Sequence, residues 1–262
     1  MSEAPVLFDV TDGIARVTLN RPEAGNAIDL AMARALAEIA IRCETNAEIR
    51  CVVLTGAGRL FCAGGDVGLF KSSGDHVDAL LSELAGTLHM ALTRFARMAK
   101  PMLVLVNGPA AGAGLSLAIG GDVVLCARSV HFTAAYGSLG LTPDGGMSWW
   151  LPRLVGLRKA QEIILTNRRI KADEAEAIGM VTRTVEDEAL ASEGSALATR
   201  LAEAAVGALG AARALLRQSL ETSLEAQLER EVAAITRSGA APECREGLAA
   251  YFEKRPANFK GV

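Results

Sequence analysis

The chain has 262 residues, half of them hydrophobic and only 4% aromatic, with a formal net charge of −3. That length makes one large domain, or a domain with a smaller appendage, around a substantial core. The weak charge and scarce aromatic residues argue against nucleic acid or an anionic membrane as partner, and the apolar runs are broken well short of the roughly 20 residues of a membrane span.

Val6-Leu7-Phe8 and Ile14–Leu19 predict a hairpin closed at Thr11-Asp12-Gly13. Residues 29–45 predict a helix, with Leu30, Ala33, Leu36, Ala37 and Ala40 on one face and Asp29 as its cap. A strand at 51–54 follows, then a glycine-rich turn, then a polar stretch Lys71–Asp75 read as a surface loop. A helix near 78–98 leads into a strand at 102–106, a second glycine-rich turn, a helix near 113–120 and a strand at 123–126. This alternation predicts an α/β fold with largely parallel pairing. After about residue 186 only helical Ala/Leu/Glu/Arg segments remain, and Thr222–Glu225 has capping-box spacing before the helix of Leu224, Leu228 and Val232. Residues 1–200 are therefore read as the core and 201–262 as a helical, oligomerising region.

The cysteines Cys43, Cys51, Cys62, Cys126 and Cys244 are odd in number and lack metal-type spacing, so buried reduced thiols and no metal are expected. With no basic-then-apolar N-terminal stretch, the expected compartment is the cytoplasm.

The two glycine turns, Phe61–Asp66 and Asn107–Gly114, carry most of the functional signal. Glycine lets a ligand approach the main chain closely. Two such turns facing each other can aim two backbone N–H groups at one oxygen, which is what an oxyanion or enolate needs. Tight-turn chemistry alone would also use these glycines, whereas the spacing after Val106 does not fit a dinucleotide fingerprint.

Leu19–Pro22 with Asn26-Ala27, Phe61–Asp66, Lys100-Pro101, Val106–Gly108, Gly112–Gly114, Gly121-Asp122, Leu151–Gly156, Ala175–Val181 and Glu253–Pro256 stand in a telling order and spacing. Over nearly its whole length the chain resembles the enoyl-CoA hydratase/isomerase (crotonase) family. The resemblance implies a spiral of ββα units, a C-terminal helical trimerisation region and acyl-CoA thioester substrates, with no separate cofactor. It implies that the N–H groups of Gly65 and Ala113 hold the thioester oxygen. Ala113 also opens a helix, whose dipole adds partial positive charge. It further implies CoA contacts from Ala27, Gly64, Asp66 and Val67, and from Tyr251 and Lys254 of a neighbouring subunit in a homotrimer or dimer of trimers. A cationic Lys254-Arg255 pair also suits a phosphate-rich ligand. Arg153, Arg158, Lys159, Arg168 and Arg169 read as a solvated face.

The family's hydratases use two glutamates. Those positions are Ser116 and Tyr136 here, and neither can act as a carboxylate base. One acid stands nearby, Asp144 in Gly140-Leu-Thr-Pro-Asp-Gly-Gly146. The segment is similar to the family's isomerases, most of all the branch that rearranges a ring-epoxide thioester of the phenylacetate pathway. One carboxylate suits an isomerase, because a single residue can take a proton from carbon and return it to a nearby carbon. Leu139, Leu141, Pro143, Trp149 and Trp150 are candidates for a dry wall, and loop 70–85 and the C-terminal helices for the acyl pocket. Asp144 also fits a turn or a helix cap. His89 falls where the family's dehalogenases keep a base, which leaves a hydrolase or dehalogenase with Asp144 as nucleophile as the alternative. A packed imidazole, an enoyl-CoA hydratase and a non-catalytic acyl-CoA binder are the remaining readings.

Overall fold

The computed structural model describes residues 4–262. Strand β1 (Val6–Thr11) pairs antiparallel with β2 (Ile14–Leu19), Val6 opposite Leu19 and Thr11 opposite Ile14. Asp12 and Gly13 between them have φ of 54° and 79°, the left-handed pair of a two-residue type I′ turn. That turn carries the first strand past the predicted Phe8 to Thr11.

Helix α1 (Leu30–Thr45) begins where predicted, because the Asp29 carboxylate accepts the Met32 amide at 2.8 Å. After β3 (Cys51–Gly56) come α2 (Val67–Ser72) and the long α3 (Val77–Arg97). The stretch Lys71–Asp75 is not the predicted loop. Its first two residues end α2, and Gly74–His76 form a 3-10 turn leading into α3. The cause is Asp66, whose side chain accepts the Gly68 and Leu69 amides and so starts a helix ahead of the polar residues.

Then follow β4 (Met102–Val106), β5 (Ala110–Ala111), α4 (Ala113–Ile119), β6 (Val123–Ala127) and β7 (His131–Thr133). Next are α5 (Met147–Val155), α6 (Leu157–Thr166), β8 (Ile170–Lys171), α7 (Ala172–Ala177) and β9 (Arg183–Val185). Helices α8 (Leu190–Glu203), α9 (Val206–Ser219), α10 (Leu224–Ala240) and α11 (Pro242–Glu253) complete the chain.

The main sheet has the order β1-β2-β3-β4-β6-β9, parallel throughout except for the first hairpin. A second sheet, β5-β7-β8, is built from strands of two or three residues. All five residues of β4 are buried, as expected for a parallel strand covered on both faces. Helix α8 lies across β2, β3, β4 and β6. Helix α1 packs lengthwise on α3, with Met32, Leu36, Ala40 and Cys43 of one meeting the face of Leu84, Leu88, Ala91 and Phe95 of the other.

Cys43, Cys51, Cys62 and Cys126 are buried and unpaired. Burial pushes the Cys43 thiol up to about 11 and those of Cys51 and Cys62 up to about 12, so these groups behave as small core residues and not as nucleophiles. The cap of α10 sits one residue beyond the predicted one. Ser223 accepts the Ala226 amide at 3.3 Å, while the Thr222 hydroxyl turns to Gln227. Helix α9 is tied to the body by Arg213, which reaches Asp122 at 2.7 Å and the carbonyls of Phe95 and Met98. Among the described residues, no helix is long and apolar enough to cross a membrane.

Lys100 joins helix to sheet. Its buried ammonium donates to the carbonyls of Cys43 at 2.6 Å and Asn46 at 2.5 Å, closing the C-terminus of α1 just before β4 begins. A cation there meets both the orphan carbonyls and the negative end of the helix dipole. Lys100→Met keeps the stem and strips the donors, leaving buried carbonyls unpaired. The expected loss is about 2–3 kcal/mol of unfolding free energy by urea denaturation.

Candidate active site

The two glycine turns are joined by main-chain pairing. Cys62 and Ala110 form a parallel bridge, with the Ala111 amide donating to Cys62 O at 2.9 Å and the Cys62 amide to Pro109 O at 3.3 Å. This approach leaves no room for side chains. A Cβ at Gly114 would lie 2.3 Å from Cys62 O, and one at Gly64 would lie 2.9 Å from Ala111 O. Gly64 also has φ of 102°, outside the range of ordinary residues. On its other flank the first turn pairs with Ile28, whose amide donates to Gly64 O at 2.7 Å and whose carbonyl accepts from Asp66 at 3.0 Å.

Gly65 and Ala113 line one cavity of about 380 Å³. Neither amide donates to any group among the described residues. Gly64, Val67, Tyr136 and Asp144 line the same cavity, and its remaining walls are mostly apolar, with Ile28, Leu84, Leu139 and Leu141 among them. Phe70, Leu81 and Ala85 come from the 70–85 segment, which lines the cavity as α2 and α3 and not as a loop. Phe70 stands directly on the first glycine turn, since a Cβ at Gly65 would fall 2.6 Å from its ring tip. Asp78 and Ser82 add polar groups that the sequence reading did not single out. Their one-turn helical spacing on a mostly apolar face was the available signal.

Asp144 sits between three of the sequence candidates. Its Oδ1 accepts the Tyr136 phenol at 2.6 Å, its carbonyl accepts the Ser116 hydroxyl at 2.9 Å, and its Oδ2 lies 3.9 Å from His89 Nε2. The phenol is pushed well above its ordinary value by burial and then by the Asp144 charge. Tyr136 therefore stays protonated and acts as a donor, and it cannot supply a second base. Ser116 is fully buried on α4 and its hydroxyl is spent on the Asp144 backbone. His89 Nε2 accepts the Gly145 amide at 3.0 Å, so its neutral ring carries its proton on Nδ1.

Other sequence candidates lie elsewhere. The Asp66 carboxylate is engaged by the amides of α2 and by Arg21 at 3.1 Å, so it holds the turn from behind. Ala27 is buried beside that turn, with its carbonyl accepting Arg21 at 2.6 Å. Tyr251 and Lys254, at the exposed end of α11, line neither of the two cavities. Trp149 and Trp150 do not wall the first cavity either. The start of α5 turns them into a second cleft of about 530 Å³, between α3 and the end of α9. Pro143 and the C-terminal helices are also absent from the first cavity's lining. Asp144 ends its wall, and the double-glycine turn after it carries the chain away.

Arg21 and Asn26 are the supporting residues whose roles the sequence did not show. Arg21 joins Asp29, Asp66 and the Ala27 carbonyl. Buried Asn26 donates to the carbonyls of Ala57 at 2.9 Å and Leu60 at 2.8 Å while accepting the Arg21 amide at 2.9 Å. Both belong to the Leu19–Ala27 signpost, but Asp66, Ala57 and Leu60, which they hold, lie dozens of residues away.

Residues 9–262 match the family model described as enoyl-CoA hydratase/isomerase. A protein of Escherichia coli described as 1,2-epoxyphenylacetyl-CoA isomerase is 38% identical, over 98% of both chains. One of Rhodobacter capsulatus, described as a probable enoyl-CoA hydratase, is 37% identical over the whole of both. The crystal structure of an enoyl-CoA hydratase/isomerase from Mycobacterium abscessus superposes with a TM-score of 0.92 at 31% identity, covering 98% of this chain and 100% of that one.

The closeness of the two turns makes a sharp prediction. Gly114→Ala puts a methyl against Cys62 O, which is backbone and cannot swing aside. The expected cost is about 1–3 kcal/mol of stability, as for overpacking. A crystal structure of the variant should show the bridge between Cys62 and Ala110 opened, and an unmoved bridge would contradict this account.

Proposed function

The chain belongs to the enoyl-CoA hydratase/isomerase family, and from that premise we propose that it is an acyl-CoA isomerase using one carboxylate as proton carrier. The thioester oxygen accepts the amides of Gly65 and Ala113. Asp144 takes a proton from the carbon chain beside the thioester. The resulting enolate is held by the two amides until the same carboxylate returns the proton further along. Each amide of such a hole lowers the barrier by about 3–4 kcal/mol. All the groups this cycle uses come from the protein chain, and no cofactor enters it.

The observation that carries this reading is the 2.6 Å hydrogen bond from Tyr136 to Asp144. It leaves one carboxylate oxygen for chemistry and puts a protonated phenol where a second base would stand. Adding water to a double bond asks for two groups, one to activate the water and one to deliver the proton. With Ser116 and Tyr136 both committed to Asp144, proton transfer between two carbons fits the site better than hydration. The likeness to the E. coli protein described as 1,2-epoxyphenylacetyl-CoA isomerase favours a ring-bearing acyl group, and the aromatic and aliphatic walls suit one.

Asp144→Asn should keep the fold and hold a CoA thioester with a Kd within about threefold of wild type, while isomerisation of 3-hexenoyl-CoA or of a ring-epoxide thioester falls by about a thousandfold or more. Full turnover in that variant would remove Asp144 from the mechanism.

The same reading includes assembly into a homotrimer or a dimer of trimers, with Tyr251 and Lys254 brought to a neighbour's CoA. Leu224, Leu228, Val232 and Ile235 form an exposed stripe along α10, and Phe252 stands out from α11. Apolar stripes of that extent mark interfaces. Sedimentation equilibrium should give the mass of three chains or six, and Leu228→Glu with Ile235→Glu should yield single chains. A monomeric wild type would overturn the assembly.

A further inference from the structure

His89 has no part in the transfer just described, yet it stands against the reacting carboxylate. It is placed between two cavities. Asp144 lines the inner one, and His89 lines the outer cleft with Thr93, Trp149, Arg217, Gln218 and Glu221. Beside the apolar Leu92, Ala96 and Trp150, the cleft's Arg217, Gln218 and Glu221 can hold water, and the His89 side chain is 47% exposed. Tyr136 occupies Asp144 Oδ1, so the carboxylate oxygen left over is Oδ2, the one 3.9 Å from His89 Nε2. Nδ1 makes no hydrogen bond among the described residues.

We infer that His89 is a proton relay between Asp144 and the outer cleft, exchanging the carried proton with solvent. The inference rests on the isomerase reading above. After Asp144 has taken a proton from carbon, its Oδ2–H bond breaks and an N–H bond forms at Nε2, directly after a small shift of the ring or through one bridging water. The Gly145 amide gives up its acceptor for that interval. The imidazolium then releases the Nδ1 proton to water in the cleft, and the electron pair stays on nitrogen. Asp144 is again a carboxylate, and one proton has gone to solvent. The hydrogen taken from carbon is now on Nε2, and it reaches water when the resting ring is restored: Nδ1 takes a proton from solvent and Nε2 gives its own to water, so that Nε2 can again accept the Gly145 amide. A solvent proton taken up at Nε2 of the restored ring is then the one passed to Asp144. The rate of this exchange against return to carbon sets how much of the transferred hydrogen the product keeps. A histidine that only held the Gly145 loop would affect the rate of turnover and not that ratio.

The test is isomerisation of 3-hexenoyl-CoA in D2O, with deuterium in the product counted by mass spectrometry per turnover. Wild type should incorporate solvent deuterium. In His89→Gln the amide oxygen can still accept from Gly145 but cannot pass a proton, and deuterium per turnover should fall by about fivefold or more. His89→Asn serves as the second variant should the first fail to fold. An unchanged ratio in a folded variant, no deuterium in the wild-type product, or complete loss of turnover in both variants would each overturn the relay. If wild type does not convert the probe, the isomerase reading fails by itself. Exchange of the α-hydrogens of phenylacetyl-CoA in D2O then reads the relay alone. The variants should slow that exchange, and an unaffected rate or no wild-type exchange overturns it.

Discussion

The pairing of Cys62 with Ala110 is the contact on which the rest of this site depends. It is a minimal piece of sheet, two hydrogen bonds long, but it joins loops that leave two different strands of the main sheet. Parallel neighbours β3 and β4 end on the same edge, so the turns after them emerge side by side. Glycines at 64 and 114 then let the two main chains approach to a distance that any side chain would prevent. Gly65 and Ala113 are left lining one cavity, their amides with no partner among the described residues. An unpaired buried amide is costly, and a fold that keeps two of them on one cavity wall retains hydrogen-bonding capacity for a ligand.

Holding those amides still falls to residues behind the turns. Arg21 draws together the carboxylates capping α1 and α2, Asp29 and Asp66, along with the Ala27 carbonyl. Asn26 ties the segment before the first turn to the Arg21 backbone. The first turn is thus clamped on one flank by Ile28 and on the other by Ala110. On the proposed reading such stiffness suits the two amides, since preorganised donors lose little on meeting developing charge. Across the cavity, Ala135, directly ahead of Tyr136, has a φ of 66° and donates its amide to Asn167 Oδ1 at 2.6 Å. A non-glycine residue in that region is strained, and the Asn167 hydrogen bond helps to hold it there.

The sequence showed what is local and repeated. Short apolar runs marked β2, β3, β4 and β6, the Asp29 cap marked α1, and glycine spacing marked the two turns. Strands of two or three residues, such as Ala110–Ala111 and Ile170–Lys171, carry too few side chains for an alternation to register, so the second sheet was invisible. Long-range partners were equally hidden. Nothing near Arg21 announces Asp66, and nothing near Lys100 announces the end of α1. The tryptophans show the limit most plainly. Trp149 and Trp150 follow Asp144 closely in the chain, yet Gly145 and Gly146, with φ of 61° and 82°, turn the backbone so that they face another cleft. Proximity along a chain predicts a shared wall only when the intervening residues keep one direction.

Ser116 and Tyr136, at the positions where the family resemblance places hydratase glutamates, order the site around Asp144 instead. A carboxylate at either position would face Asp144 across a few ångströms, and like charges so close resist sharing a low-dielectric pocket. A hydroxyl and a phenol remove that conflict and add donors. Ser116 fixes the Asp144 backbone and Tyr136 fixes one of its oxygens, so the carboxylate is anchored at two points. Its free oxygen then has a defined direction, with the cavity on one side and His89 on the other. A group that must give a proton back to a different carbon gains from that fixity, because the distance to each carbon is set by the protein and not by side-chain rotation. On the proposed reading, the two side chains that stand where hydratase glutamates are expected are the same ones that hold the lone carboxylate in place for proton transfer.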